Sequence, residues 1–189
     1  MINLKSFYEE MAREIHADNI AVGWWDNPDE CLYQKLQLVS TEIAEATEGA
    51  RKNLMDTHLS HRKMEEVEYA DAMIRILDIG GKLRLEYIVG EDPHHYCLPT
   101  SSVGKQHLGI NATIVNMADS LRTYSNAPDR RILQLMTSEA YSAVINSIMK
   151  VASNRNCDVI TAMEEKIIYN AQRADHKREN RAEANGKKF

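Results

Sequence analysis

Residues 36–52 read LQLVSTEIAEATEGARK, and residues 64–77 read MEEVEYADAMIRIL. Both place apolar side chains at intervals of three and four, the period of a helix buried along one face. In the first the stripe is Leu32, Leu36, Val39, Ile43, Ala46 and Ala50, and in the second Val67, Ala70, Met73, Ile74 and Leu77. Acidic residues sit beside these stripes rather than opposite them. Glu42 and Glu45 flank the first, with Leu38 between them, and Glu68 and Asp71 flank the second beside Met64. Gln37, Glu48 and Arg51 take the outermost face, so Glu48 reads as solvated. Two amphipathic helices close in sequence, each with a carboxylate pair at i, i+3, point to an all-α fold.

Like charges at this spacing cost a helix roughly 0.2–0.5 kcal/mol per pair, and partial burial raises that cost. If the two helices pack side by side, four carboxylates converge, and such a cluster must either protonate or recruit a cation. An all-oxygen ligand set suits Mg²⁺, with Mn²⁺ as a substitute. The plainer alternative is a solvated face on two charge-rich helices. A di-iron carboxylate bundle needs Glu-x-x-His on two helices. The one match, Glu91-Asp92-Pro93-His94, has a proline inside it and no second copy.

Working outward, helical periodicity predicts about six helices, near 3–19, 30–53, 60–80, 107–125, 129–153 and 157–178. Asn27 or Asp29 is the expected cap of the second, with Pro28 near its start. Gly80-Gly81 is expected to end or kink the third before KLRLEYIV. GEDPHHYCLPTSSVGKQ (90–106) reads as a loop, and Asn126–Pro128 as a separator. The fifth helix carries two apolar rows, Leu133, Met136, Ala140, Ala143 and Ser147, and Leu135, Val144, Ile148 and Val151. No stretch alternates as a strand. The expectation is one domain over residues 1–189, with a helical insertion or arm around 88–155 and a loose polar tail.

The chain has 189 residues, a net charge of −5 and 43% apolar residues, which suits one domain with a core. Mild acidity argues against duplex nucleic acid as a partner. Cys31, Cys97 and Cys157 are odd in number and widely spaced, giving neither a disulfide framework nor a zinc signature. The charged N-terminal stretch does not read as a targeting sequence, and no apolar run reaches the roughly 20 residues of a membrane span. A cytoplasmic protein without membrane partners is expected.

The arrangement Glu42-x-x-Glu45, 22 residues, then Glu68-x-x-Asp71 resembles the all-α NTP pyrophosphatase superfamily, which includes MazG and the dimeric dUTPases. GWWDNPDE (23–30), STEIAEATEGARK (40–52) and AMEEKIIYNAQRADHKRENRAEANGKKF (162–189) are similar to a phage-associated branch, the MazZ-type purine dNTP diphosphohydrolases. Residues 88–155 align with nothing.

The resemblance implies a MazG-like core of paired acidic helices and cleavage of a nucleoside triphosphate between the α and β phosphates. Glu42, Glu45, Glu68 and Asp71 would then be Mg²⁺ ligands, and the metal would acidify a water that attacks the α-phosphorus. Glu45 or Glu42 would orient or deprotonate that water, with Glu65 as an accessory candidate. The resemblance also implies a homodimer or homotetramer in the cytoplasm of a bacterial or phage-infected cell, and a preference for dGTP or dATP. A pyrimidine-directed dUTPase or dCTPase, and a non-catalytic helical interaction protein, are the alternatives.

Lys166, Asn170, Arg173 and Lys177 advance by four, three and four, so they share one stripe of a helix. Such a row can hold a triphosphate tail or simply be a solvated face; the family-like EKxxxNxxR pattern favours substrate binding, and Asp175 and His176 continue it. Trp24 and Trp25 precede the acidic helices, where one indole can stack on a purine while the other packs in the core. His94, His95 and Cys97 form no metal motif. Gly104-Lys105 lacks the rest of a P-loop.

Overall fold

Asn3 opens the fold by capping the first helix: its side-chain oxygen accepts hydrogen bonds from the backbone N–H groups of Lys5 and Ser6. In the computed structural model, which describes residues 3–27, 31–90, 93–124 and 129–182, the order is α1 (Leu4–Ala21), α2 (Leu32–Lys52), α3 (Met64–Leu83), α4 (Val103–Tyr124), α5 (Arg130–Asn154), α6 (Val159–Gln172) and α7 (Arg178–Ala182). Short 3₁₀ turns lie at His95–Cys97 and Ala174–His176. No strand forms among the described residues, and the protein is all-α, as the periodicity predicts. None of these helices is long and apolar enough to cross a membrane.

α3 is the central helix, packed by α1, α2, α5 and α6. Its apolar stripe broadens to nearly a full circumference: Val67, Tyr69, Ala70, Ala72, Met73, Ile76 and Leu77 are all wholly buried. Leu36, Val39, Ile43 and Ala46 of α2 meet it from one side. Ile110 and Met117 of α4, Tyr141, Val144 and Ile148 of α5, and Met163 of α6 join the same core.

Several expectations are corrected. Gly80-Gly81 does not end α3; the helix continues to Leu83 and stops where Arg84 turns left-handed (φ 54°). Both glycines serve close packing. A Cβ on Gly80 would lie 2.5 Å from the Tyr141 ring, and one on Gly81 would collide with the backbone carbonyl of Ala12. The cap of α2 is Cys31, whose N–H is accepted by Gln34 Oε1 at 3.3 Å, rather than Asn27. Pro28, Asp29, Glu91 and the 126–128 separator lie outside the described residues, as does the tail beyond residue 182. α4 starts at Val103, so Gly104-Lys105 is helical, not loop. Leu135 leaves its predicted apolar row and is 53% exposed. The last predicted helix breaks at Arg173, whose backbone is extended, so Lys177 is not on α6.

The link between α2 and α3 is short and closed upon itself, which forces the two helices antiparallel. Asn53 reverses the chain in the left-handed region (φ 51°). Asp56 N–H then donates to Arg62 O at 2.9 Å, and Met64 N–H to Leu54 O at 3.0 Å. Gly49 lets the helices approach here, because a Cβ would sit 2.9 Å from the backbone nitrogen of Glu65. This register brings Glu42 opposite Glu68 and Asp71.

Candidate functional site

Carboxylate oxygens of Glu42, Glu68 and Asp71 all lie within 4.8 Å of one another. Glu42 and Glu68 are buried and Asp71 is half-buried. Burial pushes the Glu68 carboxyl up to about 9, and the Asp71 and Glu42 carboxylates push the same way. Glu42 is also raised by burial, against the pull of Arg75, whose Nε donates to Glu42 Oε1 at 2.6 Å. Three of the four predicted ligands therefore form a compact group. The fourth, Glu45, is exposed and lies outside that group, although it lines the same cavity.

That cavity encloses about 830 Å³. The carboxylates form one part of its wall. Lys166, Asn170, Arg173 and Lys177 all line it as well, although α6 ends at Gln172 and Lys177 arrives from beyond the 3₁₀ turn Ala174–His176. Lys166 Nζ lies 2.8 Å from Asp71 Oδ2, and Lys166 is only 3% exposed. Burial opposes its charge, but Asp71, joined by Asp56 and Glu68, outweighs this and holds the ammonium above its ordinary value. Arg173 makes a two-pronged pair with Asp175, at 2.9 and 2.7 Å. Asn170 Oδ1 is buried and has no hydrogen-bond partner among the described residues.

Lys35 and Asp78 lie seven residues from Glu42 and Asp71 along α2 and α3, roughly 10 Å at the rise of a helix, and line the far end of the cavity. Here the two tryptophans separate. Trp24 lines the cavity and packs edge-on against His176 at 5.4 Å. Trp25 does not line it; its Nε1 donates to Asp78 Oδ1 at 3.0 Å, and Lys35 Nζ lies 4.7 Å from its ring centroid. Asp78 is also bonded to His16 Nδ1 at 2.7 Å. Ile15, Leu38, Ile74 and Ile167 supply apolar wall. The cavity thus joins an acidic centre, a basic and amide wall with Leu38, Ile74 and Ile167 close by, and a far end where one indole, Trp24, stands among Ile15, Lys35 and Asp78.

Glu65, the accessory candidate, points elsewhere. It takes a two-pronged bond from Arg155 (2.7 and 3.0 Å) and one from Tyr69 OH at 2.9 Å. Tyr69 OH in turn contacts His107 Nε2 at 2.5 Å, and His107 Nδ1 contacts Thr47 Oγ1 at 2.7 Å. This network ties α2, α3, α4 and the cap residue that follows α5 together behind the acidic turn of α3 and does not line the cavity. Glu48 pairs at the surface with Arg51 and Lys52.

Sequence reasoning missed Lys35, Arg75 and Asp78, which prolong the faces of Glu42 and Asp71 by one or two helical turns; the helical period carried that signal. Asp18 and Asn19 of α1 and Asp56 and His58 of the α2–α3 link also line the cavity, and nothing local marks them.

Comparison with protein-family models, curated proteins and solved structures gives no match for this chain. The case for a metal rests on the donor set. Three oxygen ligands on two rigid helices, buried enough that one carboxyl retains a proton, suit a hard divalent cation that would replace that proton. Glu42, Glu68 and Asp71 would hold it, with Glu45 in reach of the same space.

Proposed function

We propose that this protein is a Mg²⁺-dependent nucleoside triphosphate pyrophosphohydrolase, releasing pyrophosphate and a nucleoside monophosphate, with dGTP or dATP the favoured substrate. The observation that carries this reading is the composition of one cavity. An oxygen-only acidic cluster shares it with Lys166, Asn170 and Arg173, and the end where Trp24 stands among Ile15, Lys35 and Asp78 lies roughly 10 Å along the helix groove. A polyphosphate needs the first two and a base needs the third. The Glu-x-x-Glu and Glu-x-x-Asp resemblance supports the same assignment.

Bound at the cluster, Mg²⁺ would neutralise phosphate charge and make a water nucleophilic at neutral pH. The chain's residues supply the rest. Arg173 can exchange Asp175 for a phosphate, since a guanidinium fork matches either anion. Glu45, exposed on the wall of the same cavity, would take the proton lost by the attacking water. Trp24 offers a flat apolar face to a base. Leu108 and Val115 on α4, each 59% exposed, support pairing of chains into a homodimer or homotetramer.

Product analysis over a panel of ribo- and deoxyribonucleoside triphosphates, with Mg²⁺ and with chelator, tests the reading. Metal-dependent pyrophosphate with the matching monophosphate supports it. Preference for dUTP or dCTP would move it to the pyrimidine-directed alternative. Orthophosphate release would discard attack at the α-phosphorus, and no turnover would favour a non-catalytic helical protein.

A further inference from the structure

The α2–α3 link is built as a rigid platform. Asp56, itself buried, accepts hydrogen bonds at Oδ1 from the N–H groups of His58 (2.8 Å) and Leu59 (2.6 Å). Further along, Arg62 grips Glu165 of α6 through Nε and Nη2, both at 2.9 Å, and lies 3.3 Å from Glu66. The link is thereby fastened to α6 at the residue next to Lys166. Asp56, Thr57 and His58 of the link all line the cavity, and of these His58 carries the ring.

Two contacts orient the His58 ring. It stacks on Tyr169 of α6, with centroids 4.8 Å apart and planes 29° from parallel. Its Nδ1 lies 3.5 Å from Lys166 Nζ, the same ammonium that holds Asp71 at 2.8 Å. An ammonium can only donate, so Nδ1 must present its lone pair and the ring proton resides on Nε2. Nε2 has no protein partner among the described residues. A side chain held by its backbone, its ring face and one nitrogen, with its remaining N–H open to solvent, is organised to meet a ligand acceptor.

We propose that His58 is a catalytic residue of this site, donating a hydrogen bond from Nε2–H to the pyrophosphate as it departs; this inference rests on the reaction proposed above. In that reaction the water oxygen bonds to the α-phosphorus and the bond from that phosphorus to the α–β bridging oxygen breaks. The electron pair of the broken bond stays on the bridging oxygen, now terminal on pyrophosphate. His58 transfers no proton; it stabilises the charge that this oxygen gains, while the proton of the water leaves to a carboxylate. A fixed donor aimed at developing charge is effective because it needs no reorganisation during the reaction.

The test compares wild type, His58→Gln and His58→Phe on deoxynucleoside triphosphates whose β,γ bridge is difluoromethylene, oxygen or methylene, a series in which the leaving group becomes stepwise less acidic. Melting curves confirm that each variant folds. The expected result is a kcat loss of roughly 100–1,000-fold in His58→Phe and a steeper fall across the series than in wild type, with partial rescue in His58→Gln, which retains an N–H donor. In wild type labelled with ¹⁵N, Mg²⁺ with inorganic pyrophosphate should shift the His58 Nε2 resonance, and Lys166→Met should mix the two ring tautomers. Equal leaving-group sensitivity in wild type and His58→Phe, or an Nε2 resonance unmoved by Mg²⁺-pyrophosphate, overturns the inference alone. No pyrophosphate from wild type overturns the proposed function and this inference with it.

Discussion

Lys166 Nζ on α6 lies 2.8 Å from Asp71 Oδ2 on α3, and the lysine is only 3% exposed. The chain thus carries its own cation into its acidic cluster, and Arg75 supplies a second at Glu42. Removing an acid here does more than relieve repulsion between like charges.

Asp71→Asn leaves the Lys166 ammonium buried without its partner, and breaking a buried pair in this way costs about 3–5 kcal/mol. Urea unfolding without metal should place Asp71→Asn well below wild type, with Asp71→Asn/Lys166→Met recovering part of the loss. Turnover should vanish in both. An Asp71→Asn protein as stable as wild type would show that solvent, not Asp71, sustains the ammonium.

Glu68→Gln should behave differently, because the Glu68 carboxyl, raised to about 9 by burial and its neighbours, already holds a proton at neutral pH and a carboxamide resembles that form. Metal-free stability should change by less than about 1 kcal/mol, while the rise in melting temperature on adding Mg²⁺ should be lost. A raised carboxyl stabilises fully below its ordinary value and loses that contribution as pH rises through its folded value. Metal-free wild type should therefore weaken between about 4.5 and about 9, by up to roughly 1.4 kcal/mol per unit. Glu68→Gln should lack that slope.

His107 gives the opposite sign. Burial pushes its imidazole down from 6.5 to about 4, with Glu65 opposing and Arg155 assisting. Its contribution is present above 6.5 and is lost as pH falls through about 4, on the order of 3 kcal/mol in all. Stability measured across that window should fall in wild type and fall less in His107→Gln. Parallel curves would mean that the Thr47–His107–Tyr69 chain accommodates the imidazolium.

Gly81→Ala tests the close approach of α1 to α3. The new methyl group meets the Ala12 carbonyl, a backbone atom that cannot rotate away, and overpacking of this kind costs about 1–3 kcal/mol. The melting temperature should drop by roughly 2–4 °C per kcal/mol for a chain of this length. Gly104→Ala, with nothing near its Cβ position, is the control and should melt like wild type or slightly higher.

Legibility differed from element to element. Val39, Ile43, Val67, Met73 and Leu77 announced their burial through spacing alone, because a helix projects its side chains with a fixed period. The same arithmetic set Glu42, Glu68 and Asp71 at the edges of those stripes. It misjudged Gly80-Gly81, where local propensity favours a break but the approach of Ala12 and Tyr141 requires the absence of side chains. It also carried α6 through Arg173, where an extended residue takes over although no proline or glycine marks the change.

By itself the sequence determined that the protein is helical, which faces are apolar, and that two neighbouring helices each bear an acidic pair, since all of these follow from short-range periodicity. Tertiary structure alone decided which acids meet. The closed turn at 53–63 sets the antiparallel register that brings Glu42 to Glu68 and Asp71 and leaves Glu45 exposed. It also decided that Glu65 turns to Arg155, that Trp25 serves Asp78 while Trp24 faces the cavity, and that His58 stands beside Lys166. Those pairings span up to 108 residues, a separation over which only packing of the whole core can bring two side chains together.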